Sequence, residues 1–274
     1  MFANLDYLTW CRENKLDELF KIDLKSYGDL TLKRPKSVYE TVDPKNTNPF
    51  PPELDDLIRL HYLVRSRKVT TILEFGVGKS THIFVDALQK NKKEFGDFVS
   101  KNLRRATPFE IYSIDNSKSW IQKCKKEFNK NTADIVNFFY SDLEMTTFNG
   151  RACTMYKKLP NICPDFIYLD APDQFSVTGD VRGISTRATD RQPMAADILL
   201  LEPFLLPGTL IAVDGRNSNA RFLKNNFQRN WRYQEFKNED VNILELIEPP
   251  LGYLNEKQIR FCLGDNWPGL SVTL

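Results

Sequence analysis

A glycine-rich loop follows the first strongly apolar run of the chain and could bind a phosphorylated or nucleoside ligand. The run ends at Glu74, and the loop is Gly76-Val77-Gly78-Lys79-Ser80-Thr81. Its Gly78-Lys79-Ser80 matches the end of the phosphate-binding loop G-x-x-x-x-G-K-[ST]. That motif also requires a glycine where Leu73 stands, and Glu74 would set a carboxylate beside the phosphates. An acid at a strand end with glycines two and four positions later suits an adenosine ligand better, because the backbone can turn sharply and approach it closely.

Further acidic residues follow three later apolar runs. They are Asp115-Asn116, Ser141-Asp142 and Asp170-Ala171-Pro172-Asp173. In an open α/β sheet the ligand binds beyond the carboxyl ends of the strands, near the point where strand order reverses. We therefore expect Glu74 and these three groups to surround one site.

The elements that must position these residues are predicted from the spacing of apolar residues. From Val69 onward, short apolar runs alternate with helical segments, which is typical of a parallel sheet with crossover helices. The predicted strands are 70–75, 110–114, 136–140, 165–169, 209–213, 232–236 and 242–247. The predicted helices are 53–68, 79–89, 118–129, 193–201 and 217–230. Only a short link joins the last two strands, so they are expected to form an antiparallel hairpin at one edge.

Three regions are predicted along the chain. Residues 1–68 form a helical extension with a proline-rich break at Pro44, Pro49, Pro51 and Pro52. Residues 69–248 form the main domain, and residues 249–274 form a tail packed on it. The basic segment Lys90–Pro108 could contact nucleic acid, but its acidic residues and lack of interleaved aromatic residues favour a solvated extension of a helix.

In the order of these motifs the chain resembles the class I S-adenosylmethionine-dependent methyltransferases, over roughly residues 69–247. The resemblance implies an α/β, Rossmann-like, doubly wound sheet of seven mostly parallel strands with an antiparallel edge hairpin, plus the N-terminal helical extension. It also implies S-adenosylmethionine as the cofactor. The cofactor-binding residues that it implies are Glu74, Phe75, Gly76, Gly78, Ser80, Thr81, Asp115, Asn116, Ser141, Asp142, Leu143 and Asp170.

Within that set the resemblance implies separate roles. Glu74 and the two glycines face the methionine part of the cofactor, Asp115 binds the ribose diol, residues 141–143 border the adenine, and Asp170 lies near the methyl donor. A carboxylate suits the ribose because it accepts two hydroxyl hydrogen bonds. Ser80 departs from the family, which usually has a third glycine there. The span from Glu74 to Asp115 is also longer than the ~20 residues of a compact dinucleotide-binding unit, and an insertion at residues 90–108 accounts for it.

The leading functional hypothesis is a methyltransferase acting on a small molecule at oxygen. The candidate catalytic bases are Asp170 and Asp173, with Asp214 as a further option. Methyltransferases of exocyclic base amines carry [DN]-P-P-[YFW], whereas this chain has Asp170-Ala171-Pro172-Asp173 and lacks the aromatic residue. Asp170, Asp214 and Asn217 loosely resemble the oxygen ligands of metal-dependent catechol-type enzymes. Gly215 and Arg216 separate an acid and an amide that are adjacent there, so no metal is predicted.

Two other classes stay open. One is a nucleotide-triphosphate-binding phosphotransferase or hydrolase that uses Lys79, with residues 166–170 holding magnesium. The other is a noncatalytic binding module with a methyltransferase-like fold. Among single residues, Arg182, Arg187 and Arg191 could bind an anionic substrate group or be solvated. His61 is expected to pack in the core, and His82 to have a capping or packing role.

The amino-acid composition limits which classes of binding partner and which cellular compartment are expected. The chain has 274 residues, with 38 Lys and Arg against 36 Asp and Glu, so no overall charge recruits nucleic acid or an anionic membrane. Its five cysteines lack C-x-x-C spacing, which disfavours a disulfide framework or a structural zinc. The first ten residues do not resemble a signal peptide, and the longest apolar stretch, around 198–213, is interrupted by Glu202 and prolines. A cytoplasmic protein with a small-molecule substrate is expected.

Overall fold

The computed structural model describes residues 1–3, 5–20 and 53–271. The predicted proline-rich break lies outside the described residues. The strands, numbered along the chain, are β1 Thr71–Phe75, β2 Glu110–Asp115, β3 Val136–Tyr140, β4 Leu143–Phe148, β5 Arg151–Tyr156, β6 Phe166–Leu169, β7 Leu210–Asp214, β8 Trp231–Phe236 and β9 Val241–Leu246. The α-helices are α1 Tyr7–Asn14, α2 Leu16–Phe20, α3 Leu54–Ser66, α4 Lys79–Asn102, α5 Lys118–Lys125, α6 Lys130–Ala133, α7 Asp197–Leu201, α8 Asn217–Asn226 and α9 Tyr253–Leu263.

Seven strands form one sheet in the order β3-β2-β1-β6-β7-β9-β8. β1 pairs in parallel with β2 on one side and with β6 on the other, so the strand order reverses between β1 and β6. β9 is antiparallel to both β7 and β8, which makes the hairpin at the edge. The prediction of a doubly wound, mostly parallel, Rossmann-like sheet with an edge hairpin is confirmed, and all seven predicted strands belong to it.

The sheet is buried on both faces. Every residue of β1 is buried, and alternate side chains enter two separate cores. Ile72 packs in a core with residues of α3 and α4, whereas Leu73 and Phe75 pack in a core with residues of α7, α8 and β5. The carboxyl ends of the parallel strands are therefore held at one edge by helices on both faces.

The structure corrects several predicted boundaries. α4 continues to Asn102, so most of the segment 90–108 is an extension of that helix, as expected. The predicted helices 118–129 and 193–201 are shorter, ending at Lys125 and beginning at Asp197. α9 was not predicted within the C-terminal tail. Among the described residues, no helix combines the length and apolar character needed to cross a membrane.

A second sheet of two antiparallel strands, β4 and β5, was also missed. Asn149 and Gly150 connect these strands with positive φ angles of 48° and 75°. Asn-Gly is the preferred pair for a tight hairpin turn because both residues tolerate positive φ. The hairpin places β5 against the end of β1, where Tyr156 stacks on Phe75 with ring centroids 6.0 Å apart.

Candidate functional site

The site begins at the turn between β1 and α4. Gly76 has a φ of 103°, and a Cβ atom at this position would lie 3.0 Å from the Cβ of Ala171, just beyond β6. Its N–H donates to the carbonyl of Ile114, at 2.9 Å. Only glycine fits both the conformation and the close approach. The turn therefore lies at the reversal point of the sheet, between the ends of β2 and β6.

Glu74 stabilises this turn through hydrogen bonds. It is fully buried, and its carboxylate accepts hydrogen bonds from Ser80 Oγ at 2.5 Å, Thr81 Oγ1 at 2.7 Å and Ser113 Oγ. Burial raises the pKa of Glu74 to about 7, against the opposing effect of these hydroxyls. Glu74 thus joins β1, β2 and the start of α4, and its oxygens face protein hydroxyls. Ser80, where a third glycine was expected, is one of the donors.

The same contacts bear on the phosphate-loop alternative. The Ser80 and Thr81 hydroxyls point to Glu74, and Lys79 Nζ lies 2.8 Å from Glu127 Oε2. A phosphate loop needs its lysine on the phosphates and its hydroxyl on magnesium. This arrangement disfavours nucleotide triphosphate binding at the loop.

Asp115, at the end of β2, has the geometry of a diol acceptor. Its Oδ2 accepts from the Val77 N–H at 3.1 Å and its Oδ1 from the Ser117 N–H at 2.7 Å. A carboxylate has about four lone-pair positions, so these two bonds leave capacity for two more. Burial raises the pKa of Asp115, although its backbone hydrogen bonds lower it. The side chain is 9% exposed, which leaves an edge open to the site.

The end of β3 contributes Ser141 and Asp142, and Leu143 begins β4. Ser141 is buried, and its Oγ accepts from the Lys158 N–H at 2.9 Å. Asp142 is exposed and accepts from the Tyr140 hydroxyl at 2.6 Å, whereas Leu143 is buried in the hairpin. The structure therefore brings the predicted adenine-bordering residues to the same edge as Asp115.

Two of the predicted cofactor-binding residues connect neighbouring segments through hydrogen bonds. Asn116 Nδ2 donates to Ser176 Oγ at 2.9 Å, which joins the end of β2 to the segment after β6. Phe75 is buried, and its carbonyl accepts from the Asp170 N–H at 3.0 Å. These contacts join the ends of β1 and β2 to the segment that follows β6.

Arg216 lies beside the end of β6 and was not predicted as a site residue. Its guanidinium donates to the carbonyls of Asp170 at 2.5 Å and Pro172 at 2.9 Å, and its Nε lies 3.6 Å from Asp170 Oδ1. Its position two residues beyond Asp214 was a signal that could have identified it. Asp173 is exposed, and its charge is one of the minor causes that raise the pKa of Asp115.

Asp214 faces the opposite side of the sheet edge. It accepts from the Tyr168 hydroxyl at 3.0 Å, and burial, followed by the charge of Asp170, raises its pKa to about 7. Asn217 Oδ1 accepts from Asn242 Nδ2 at 2.7 Å. A cation at Asp170, Asp214 and Asn217 would have to displace this amide bond and sit beside the Arg216 guanidinium. The residues present do not fit a metal there.

A separate acidic group lies at the start of α3. Glu53, Asp55 and Asp56 are close enough to share an ion, and they form the one such group among the described residues. Arg59 already pairs with Asp55 and Asp56. This cation accounts for two of the three carboxylates.

The remaining candidates have structural contacts. Arg187 donates to the carbonyls of Val177 and Gly179 and Arg191 to that of Ser185, so both stabilise their own loop, while Arg182 is exposed. His61 is fully buried between Trp10 Nε1 at 3.0 Å and Asp86 Oδ2 at 2.9 Å, as expected for a packed histidine. His82 stacks on Phe128, with ring centroids 4.3 Å apart.

Comparisons with known proteins gave structural matches only. No protein-family model matches the chain, and no curated protein matches it in sequence. Among solved structures, 68 chains are similar. One is the methyltransferase PaMTH1 of Podospora anserina, bound to S-adenosylhomocysteine, with 14% identity, coverage of 72% of this chain and 80% of that chain, and a TM-score of 0.40.

Two further structures are bacterial. A putative caffeoyl-CoA O-methyltransferase of Staphylococcus aureus is 13% identical, covers 87% of this chain and 99% of its own, and has a TM-score of 0.38. The O-methyltransferase of Bacillus cereus with S-adenosylhomocysteine is 13% identical, with 87% and 98% coverage and a TM-score of 0.36.

Sequence reasoning also missed Tyr156, which β5 brings against Phe75 at the end of β1. Tyr156 is 5% exposed, and its hydroxyl has no hydrogen-bond partner among the described residues. Burial and then the charges of Asp115 and Asp197 raise its pKa well above the usual value, so the hydroxyl is a donor at neutral pH. The Asn149-Gly150 turn was the signal that could have located the hairpin and, with it, this side chain.

Proposed function

We propose that this protein is an S-adenosylmethionine-dependent methyltransferase that acts on a small molecule, at oxygen. The observation that supports it most is the pairing of the Gly76 turn with Asp115 at the reversal point of the sheet. The turn allows backbone to approach a ligand, and Asp115 has unused acceptor capacity for a ribose diol. Cofactor binding by the twelve residues named from the sequence is part of this proposal.

The residues present fit that cofactor. Asp115 would hold the ribose hydroxyls, and the backbone around Gly76 and Gly78 would lie along the methionine part. The cofactor supplies a methyl group on a positively charged sulfur. Glu74 is buried and accepts hydrogen bonds from Ser80 and Thr81 at the start of α4, so its role in the proposal is to fix the loop.

The chain's own contribution to catalysis would be orientation and proton removal. A hydroxyl becomes a good nucleophile when its proton is taken, and carboxylates at the strand ends can accept it. Asp170 and Asp173 are the proposed bases, since both are exposed at the cleft. Asp214 has a pKa of about 7, well placed for a base near neutral pH, but its carboxylate is bonded to Tyr168.

The proposed target is hydroxylated rather than a nucleobase amine. The turn after β6 has no aromatic residue at the position where base-amine methyltransferases stack the base. Arg216 offers a cation within the cleft that could orient an acidic group of the substrate. The five free cysteines, typical of a reducing compartment, support cytoplasmic action as part of the proposal.

Calorimetry with S-adenosylmethionine, S-adenosylhomocysteine and ATP tests the cofactor. We expect both adenosyl ligands to bind and ATP not to bind. Asp115→Asn should weaken adenosylhomocysteine binding by about 10- to 150-fold, because a charge-assisted hydrogen bond contributes about 1.5–3 kcal/mol. A screen of hydroxylated acceptors with a labelled methyl donor would then identify the substrate.

Glu110→Gln is the matched control for this substitution. Glu110 lies at the amino end of the same strand and bonds Tyr112 and Asn137, away from the cleft, so adenosylhomocysteine affinity should not change. Binding of ATP alone would favour a phosphotransferase. Cofactor binding without methyl transfer to any acceptor would favour a noncatalytic module.

A further inference from the structure

A narrow cavity opens to solvent at the amino ends of β1, β6 and β7, at the edge of the sheet opposite the proposed cofactor cleft. It encloses about 360 Å³ of unfilled space, and α9 forms one of its sides. None of the residues that line it belongs to the set proposed for the cofactor. Its apolar walls are formed by Val69, Pro164, Leu206, Pro207, Ile259 and Leu263.

Two arginines line this cavity, and each is held in place through Nη2. Arg67 Nη2 donates to the Gly208 carbonyl at 2.9 Å and to Glu245 Oε1 at 3.0 Å. Arg105 Nη2 donates to the Cys163 carbonyl at 2.8 Å, and the Arg105 side chain is 4% exposed. Nη1 of each arginine has no hydrogen-bond partner within the described part of the chain. Each guanidinium is therefore fixed in position with donors that remain unused.

Gln258, on α9, contributes a third polar group to the same cavity. The residue is 8% exposed, and its side-chain amide has no hydrogen-bond partner in the residues that the structure describes. A buried amide without a partner costs free energy, and such groups are rare in folded proteins. The amide adds an N–H donor to those of the arginines.

The acids beside the cavity do not use these donors. Asp165 lines it, but its carboxylate accepts from the Thr70 N–H at 3.0 Å, the Thr70 hydroxyl at 2.8 Å and the Thr71 N–H at 2.7 Å. Glu245 pairs with Arg232 as well as with Arg67. The cavity lining thus carries two cations and one acid whose oxygens are already bonded, so the unused donors favour an anion.

The shape and the walls of the cavity narrow the choice of anion. A carboxylate is thin and planar, and its two oxygens match the planar fork of an arginine. An inorganic ion would use the donors but would leave the apolar walls without contact. A carboxylate with a short hydrocarbon chain uses both, because the chain removes apolar wall area from water.

We propose that this cavity binds a small organic carboxylate, whose oxygens accept hydrogen bonds from Arg67, Arg105 and Gln258 and whose hydrocarbon part packs on the apolar walls. The site lies at the opposite edge of the sheet from the cofactor cleft. It goes beyond the proposed function and does not depend on it.

The test is a ligand-observed NMR titration of wild type with sodium propionate and with propionamide, at an ionic strength held constant with sodium chloride. Propionate should bind at one site. Propionamide, which has the same shape without the charge, should bind at least about 10-fold more weakly, because the charge-assisted hydrogen bonds to the arginines are lost. Equal binding of the two probes, or no binding of propionate, would overturn the proposal.

Two substitutions at Gln258 place the binding in the cavity. Gln258→Leu should weaken propionate binding by about 3- to 10-fold, since one neutral hydrogen bond is lost. Gln258→Glu should abolish the binding, because the new carboxylate would itself pair with the arginines and repel the ligand. Gln122→Leu is the matched control, since Gln122 is exposed on another helix, α5, and its affinity for propionate should match wild type.

Thermal unfolding without ligand distinguishes a binding role of Gln258 from a structural one. Gln258→Leu should not lower the Tm, because it replaces an unpartnered amide by an apolar side chain of similar size. A lower Tm together with unchanged propionate affinity would assign Gln258 a structural role and overturn its part in the site. Displacement of propionate by chloride alone would indicate a site for inorganic anions and would count against an organic ligand.

Discussion

Asp197 allows a quantitative test of the free-energy cost of ionising a buried carboxyl group in this fold. The residue begins α7, is 1% exposed, and uses Oδ1 to accept from the Tyr156 N–H, while Oδ2 has no described partner. Burial raises its pKa from 3.8 to about 7. Asp197→Asn keeps the Oδ1 acceptor and removes the charge, so it isolates the cost of ionising this carboxyl in the folded protein.

The direction in which stability changes with pH follows from proton binding by Asp197 in the folded and unfolded states. The folded protein holds the Asp197 proton to higher pH than the unfolded chain does, so this group makes stability fall as pH rises from about 4 to about 7. At about 1.4 kcal/mol per pKa unit, the wild type has lost about 2 kcal/mol of stability at about pH 5 and about 4 kcal/mol at about pH 8. Asp197→Asn has no carboxyl group to ionise at this position, so it loses neither amount of stability.

The expected result is therefore a change with pH in the difference between the two proteins. The free energy of unfolding of Asp197→Asn, relative to that of wild type, should rise by about 2–3 kcal/mol between about pH 5 and about pH 8, so the variant becomes relatively more stable. The unpaired amide hydrogens of the new side chain add a cost of about 1–3 kcal/mol, but that cost is the same at both pH values and cancels.

Urea unfolding at constant ionic strength measures this difference. Asp97→Asn, at an exposed position of α4, controls for the loss of one negative charge from the whole protein. A difference between Asp197→Asn and wild type that does not vary with pH would refute the reasoning, because it would mean that Asp197 titrates alike in the folded and unfolded states.

Three further substitutions test the turn, the lysine and the unexpected arginine. Gly76→Ala should destabilise the protein by about 1–3 kcal/mol in thermal unfolding and abolish adenosylhomocysteine binding. Its control is Gly96→Ala within α4, where a Cβ would contact only Lys92 at 3.9 Å, and this change should stabilise the protein by up to about 1 kcal/mol. Lys79→Ala removes a solvated ion pair, so it should leave adenosylhomocysteine affinity unchanged and stability within about 0.5 kcal/mol of wild type. A large loss of ligand affinity in calorimetry would contradict the placement of Lys79 outside the site. Arg216→Gln should lower stability by about 1–3 kcal/mol in urea unfolding, because two carbonyls lose a charged donor. Arg221→Gln, within α8, should have little effect, and equal effects would count against Arg216 as a residue that stabilises the turn after β6.

Much of the fold was predictable because its central strands are buried on both faces. Each residue of the run Thr71–Phe75 is apolar or β-branched except Glu74, and the run is bounded by a helix and a glycine turn, so its type and position were clear. The hairpin was missed for the opposite reason. Leu143–Phe148 and Arg151–Tyr156 mix polar and apolar residues, and the Asn-Gly turn between them was the stronger signal.

The candidate site was predictable where it depends on strand ends and not where it depends on tertiary packing. Asp115 and Asp170 follow strands that the sequence identifies, so their meeting at one edge follows from parallel topology. Tyr156 is brought against Phe75 by the hairpin, and Arg216 contacts the segment after β6 through its long side chain. The Asn149-Gly150 turn and the position of Arg216 after β7 give only the location of these residues in the chain, and their contacts depend on tertiary packing.

The carboxylate of Glu74 also bears on how the sequence of this protein can change over time. Ser80, Thr81 and Ser113 donate to one buried acid, so a change at one of the three donors leaves Glu74 with one hydrogen bond fewer, and a change at Glu74 leaves all three hydroxyls without this acceptor. Serine at position 80, which departs from the usual glycine, is then retained by its partner rather than by the ligand. In relatives of this chain the four positions are expected to vary together, and a glycine at position 80 should occur with a different set of donors around position 74.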